Sequence, residues 1–115
     1  DPYQFEKLCC EILANAGWVS RTTKGSNDQG VDVIAEKDTV RLAIQCKMYS
    51  ASVTNKAVQE VYAGCVFYDC HVAMVVTNSD FTVSARQLAG KLNVALVNFN
   101  ELELVADKAY SAIKK

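Results

Sequence analysis

Two apolar runs, residues 31–35 and 40–46, lie either side of a short charged turn at 36–39, and a glycine-bearing polar turn at 25–30 leads into the first. Runs this short, with a reversal between them, pair as neighbouring antiparallel strands. Side chains two apart on a strand share a face. Val40, Leu42, Ile44 and Cys46 therefore form one face of the second run, and Arg41, Ala43, Gln45 and Lys47 the other. Gln45 and Lys47 project together, and Asp32 on the paired strand is expected to meet them. An acid, an amide and an ammonium on one sheet face are costly to desolvate unless they hold something. A divalent metal with a phosphate meets that need.

The rest of the chain supplies layers for this hairpin. Asp1-Pro2 is a helix start, an acid cap followed by proline in the first turn. Phe5, Leu8, Cys9, Ile12, Leu13 and Ala16 repeat at helical spacing, and Gly17 supplies the stop. Glu6 lies at the edge of that apolar face. Residues 18–24 have strand composition. After a loop at 50–54, Thr54 is expected to cap a helix over 55–67, with Val58, Val61, Tyr62 and Cys65 inward. Residues 71–77 (HVAMVVT) read as a strand buried on both faces. Thr82 opens an amphipathic helix carrying Val83, Ala85, Leu88, Ala89 and Leu92, and 94–97 is a short buried strand. Asn100 is expected to cap a last helix with Leu102, Leu104, Val105 and Ala109 apolar. The order α-β-β-β-α-β-α-β-α predicts an α/β fold with a central mixed sheet flanked by helices.

At 115 residues, half of them apolar and one of them proline, a single folded domain is expected over 1–115. The chain opens on Asp rather than Met, so it is expected to be a piece of a longer protein. No apolar run approaches the ~20 residues that span a bilayer, so no membrane partner is expected. Five cysteines without a Cys-x-x-Cys pair argue against a disulfide framework or a zinc site. A reducing, cytoplasmic setting is expected. A net charge of −1 votes mildly against nucleic acid. Local distribution matters more than the sum, and Arg21, Lys24 and Lys47 sit in or near the hairpin.

Phosphodiester hydrolysis needs a metal to activate water and to neutralise the phosphate. Magnesium takes oxygen ligands and keeps several waters, so one or two carboxylates suffice. Asp32 is the principal candidate ligand, joined by the Gln45 side-chain oxygen, the Cys46 backbone carbonyl and Glu6. Lys47 would orient or deprotonate the attacking water and stabilise charge on the phosphate.

Phe5-Glu6, then G-x-x-D-x-G-x-D (Gly25, Asp28, Gly30, Asp32), then QCKMY at 45–49 resembles the catalytic domain of Mrr-type restriction endonucleases. That family belongs to the PD-(D/E)xK nuclease superfamily. The likeness continues through Val58-Gln59, Val76-Thr77-Asn78, Phe81-Thr82 and Ala85, and fades after Val97. The resemblance implies a restriction-endonuclease-like fold and a magnesium-dependent DNA endonuclease acting on foreign or modified DNA, with manganese able to substitute. It implies that Asp32, Gln45 and Lys47 are catalytic, that Glu6 is an accessory metal carboxylate and that Gln59 lines the cleft. Most of the superfamily has Glu or Asp at the Gln45 position, and the Mrr branch commonly has Gln. A neutral amide removes one negative charge, so metal affinity should fall unless Glu6 compensates. The implied partner is DNA, with recognition elsewhere in the full-length protein and a homodimer left open.

Plainer readings stand beside these. Asp32 and Lys47 can form a simple ion pair, and Glu6 can be a solvated helix residue. Asp28 and Asn27 are most simply turn residues, with Asp28 also a DNA-backbone candidate, and Gly30 supplies a positive φ. Arg21, Lys24 and Lys56 either track phosphates or are solvated. Tyr49 either stacks on a nucleotide or is an ordinary half-buried tyrosine. His71 is expected to be structural, and the Cys46 side chain to point into the core. Two rival functions remain: a nuclease-fold module that binds DNA or a protein without cutting, and a Holliday-junction resolvase.

Overall fold

The structure is a computed structural model describing residues 1–23 and 29–115. The turn positions Lys24, Gly25, Asn27 and Asp28 lie outside the described residues. The elements are α1 (Pro2–Asn15), β1 (Val19–Thr22), β2 (Val33–Lys37), β3 (Val40–Lys47), α2 (Asn55–Phe67), β4 (Val72–Thr77), α3 (Val83–Leu92), β5 (Ala95–Asn98), a 3-10 turn (Phe99–Glu101) and α4 (Leu102–Ile113). The strands form one sheet in the order β1-β2-β3-β4-β5. β1, β2 and β3 are antiparallel, whereas β3, β4 and β5 run parallel. The expected meander followed by helical crossovers is therefore the observed topology.

The sheet buries both faces. Under α1 and α4 lie Leu13, Val33, Leu42, Ile44, Met74 and Leu102. Under α2 and α3 lie Val31, Ile34, Ala43, Val58, Val61 and Val75. β3 and β4 are thus covered on both sides, which is why 71–77 carries no polar alternation. Helix ends follow local chemistry. The Asp1 carboxylate accepts from Tyr3 N at 3.0 Å, and the Thr82 hydroxyl accepts from Ala85 N at 3.0 Å. Gly17 leaves α1 at φ +92°. The β2–β3 reversal places Asp38 and Thr39 both at positive φ, the mirror-image turn that matches strand twist.

Several expected inward positions face solvent instead. Leu8, Tyr62, Val83 and Leu104 are exposed because each stands at the margin of its helix's apolar stripe. Thr54 sits at the start of α2 but makes no side-chain cap bond. Asn100 does not cap α4: a 3-10 turn intervenes, Asn98 accepts from Asn100 N, and Glu101 occupies the cap position. No helix among the described residues is long and apolar enough to cross a membrane.

Candidate active site

β2 peels away from β3 at its first residue. The ladder closes on the pair Val33–Ile44. Val31 then turns into the α2 core although Val33 belongs to the α1 core. A regular strand would put both on one face. Asp32 stands in that break. Its backbone N donates to Ile44 O at 2.8 Å, and its Oδ2 accepts from Cys46 N at 2.8 Å. A side-chain oxygen has replaced a ladder carbonyl, so the carboxylate is fixed against the peptide joining Gln45 to Cys46.

Gln45 is buried, with 5% of its surface exposed. Its Nε2 donates to Gly30 O at 3.1 Å and to Glu60 Oε1 at 3.2 Å. Among the described residues its Oε1 is buried and has no hydrogen-bond partner. An orphaned buried acceptor costs about 1–3 kcal/mol. Two glycines bring α2 close enough for the Glu60 contact. Gly30 has φ +78°, and a Cβ there would come within 2.5 Å of Glu60 O. A Cβ on Gly64 would lie 2.3 Å from Gln29 O. Backbone therefore rests on backbone where the loop crosses α2.

Lys47 is the last residue of β3, paired with Thr77, whose hydroxyl donates to Lys47 O at 2.6 Å. Asn78 clamps the next residues: it accepts from Tyr49 N at 2.8 Å and donates to Tyr49 O at 3.0 Å. Lys47 Nζ lies 5.6 Å from the Tyr49 ring centroid. Lys47, Tyr49, Thr54, Lys56 and Glu60 line a polar concavity of about 180 Å³.

Glu6 approaches from the α1 side. The Cys46 thiol faces α1, as expected, and is held well above the usual thiol range. A hydrogen bond with Cys9, then burial, then the charges of Cys9, Asp32 and Glu6 raise it. The charges of Glu6, on α1, and of Asp32 both act on this thiol. Gln59 is exposed, and it is the adjacent Glu60 that bonds to Gln45. Arg21 is also apart from the group. It lines two larger concavities along β1, of about 610 and 590 Å³, which hold neither Asp32, Gln45 nor Lys47. The smaller concavity is the one that Lys47 lines. Lys24 and Asp28 lie outside the described residues.

A family model described as restriction endonuclease, that of the Mrr catalytic domain, matches residues 1–105. The chain belongs to the Mrr restriction endonuclease family. No curated protein matches it. Among solved structures, a protein of unknown function, AF1548, has a TM-score of 0.70 at 20% identity, over 90% of this chain and 66% of that one. The modification-dependent restriction endonuclease AspBHI has a TM-score of 0.65 at 18% identity, over 90% of this chain and 30% of its own. MspJI, solved with a 27-mer oligonucleotide, has a TM-score of 0.60 at 21% identity, over 86% and 26%. The chain spans two thirds or less of each of them. At these identities the likeness is one of fold, and it agrees with the mixed five-stranded sheet.

The Mrr domain's donor set bears on which cation fits. Among the described residues no three His, Cys, Asp or Glu side chains are grouped to hold a metal. What is present is one carboxylate, Asp32, held on Cys46 N, and the buried amide oxygen of the preceding residue, Gln45. Hard oxygen donors in small number, with water completing the shell, suit magnesium.

Proposed function

We propose that this Mrr domain is a magnesium-dependent endonuclease that hydrolyses DNA phosphodiester bonds in restriction of foreign or modified DNA, with manganese able to substitute. The observation that carries the reading is the Gln45 Oε1, buried and without a partner among the described residues, on the residue before Cys46, whose N–H holds the Asp32 carboxylate. Asp32 and Gln45 would hold the cation, with Glu6 and the Cys46 carbonyl contributing directly or through water. A bound magnesium ion supplies charge neutralisation on the phosphate and a more acidic water. Lys47 orients the attacking water, and its ammonium stabilises charge on the phosphoryl oxygens. Lys56 and Tyr49 line the same concavity and serve as contacts to the strand. Choice of sequence or modification is assigned to a separate domain of the full-length protein.

Plasmid nicking with magnesium or manganese tests this, using wild type, Asp32→Ala and Lys47→Ala. Each variant should lose roughly 100-fold or more in rate. Equal cleavage by all three would reject the assignment.

A further inference from the structure

Glu60 has no role in the reading above, yet together with the Gly30 carbonyl it decides which way Gln45 faces. Both partners of the Gln45 amide nitrogen, the Gly30 carbonyl and the Glu60 carboxylate, can only accept. The amide cannot be turned over without setting its oxygen against two acceptors. Its oxygen must point away from α2, and this is the buried atom left without a partner. Glu60 is itself held in place from behind, because its backbone is in contact range of Gly30 and α2 rests on residues 29–31 through Gly64.

We propose that Glu60 is a positioning residue for the cation site. It locks the Gln45 side chain with Oε1 presented to the metal. Its negative charge polarises the amide, so that the carbonyl oxygen becomes a stronger donor. The charge that an acid at position 45 would bring is supplied one bond further out, from α2. Outer partners of this kind are commonly worth 10–100-fold in metal affinity. The inference rests on the cation site of the preceding section, and the test separates the two.

Manganese affinity is measured by calorimetry and electron paramagnetic resonance on wild type, Glu60→Ala, Glu60→Gln, Gln45→Ala, the double variant Gln45→Ala/Glu60→Ala and Asp32→Ala. Thermal melts check that each is folded. Glu60→Ala should weaken manganese binding roughly tenfold. Glu60→Gln, which keeps an acceptor but not the charge, should recover part of that loss. In the Gln45→Ala background Glu60→Ala should change nothing further, since the effect travels through the amide. The same loss in both backgrounds would overturn the positioning role. So would wild-type affinity in Glu60→Ala while Asp32→Ala loses binding, and there the cation site itself would stand. No manganese binding to folded wild type would overturn both.

Discussion

Cys46 separates Gln45 from Lys47 in the chain, but its thiol lies on the other face, against Cys9. That placement keeps it protonated and removes it from nucleophilic chemistry, which needs thiolate. Burial, then the charge of Cys70, likewise pushes the Cys65 thiol up from 9.0 to about 11. Two outcomes follow at this scale. Iodoacetamide at pH 8 should modify Cys46 and Cys65 much more slowly in the folded protein than in urea, and DNA cleavage should survive the treatment. Loss of cleavage in step with Cys46 modification would contradict the site as drawn. Stability should depend on pH with a definite sign. The folded state keeps protons that the unfolded chain releases, so the thiol contribution is intact below about pH 9 and declines toward about pH 11. Urea midpoints should fall across that window, and less so in Cys65→Ala. Of this arrangement, the strand that carries Gln45 and Lys47 was legible in the sequence. Alternation along β3 put Gln45 and Lys47 on one face. What alternation could not show is that Asp32 leaves the ladder to bond Cys46 N, because a break in a strand depends on which core claims Val31.

The packing of α2 on the loop before β2 is the element-scale determinant of the site. Gly30 is needed twice, for its positive φ and for the missing Cβ. Gly30→Ala should cost about 2 kcal/mol or more in urea unfolding, from the left-handed conformation together with overpacking. It should also weaken cleavage by moving Glu60 off Gln45. Unchanged stability would mean that the loop does not rest on α2. Family likeness pointed to Gln59 as the cleft residue, and helical phase would have pointed to its neighbour. Ala57, Val61 and Gly64 mark the buried stripe of α2. Glu60, three residues after Ala57, borders that stripe, whereas Gln59, two after it, does not. A charged residue bordering an apolar stripe is the sequence signal that singles out Glu60. Tyr62, expected inward, is exposed at the opposite margin of that stripe. The start of α4 was misjudged for a different reason, since nothing in the local sequence announces a 3-10 turn before Leu102.

At the scale of the molecule, order and topology followed from periodicity, because the runs are short and the breaks between them sharp. The net charge of −1 was a weak guide, since what bears on a phosphate is the local grouping of Lys47 and Lys56 at one concavity. Two hollows larger than the one at Lys47 lie along β1, away from the catalytic candidates. α1 carries Glu6, the segment before β2 carries Asp32, β3 carries Gln45 and Lys47, and α2 carries Glu60, which bonds to Gln45. The central claim is that Asp32 and Gln45 hold a divalent cation. A crystal of the protein soaked in manganese tests it by anomalous diffraction. The account predicts one strong anomalous peak within coordination distance of both an Asp32 carboxylate oxygen and Gln45 Oε1, absent from Asp32→Ala crystals. Full occupancy at some other place on the protein, with none beside Asp32, would contradict it.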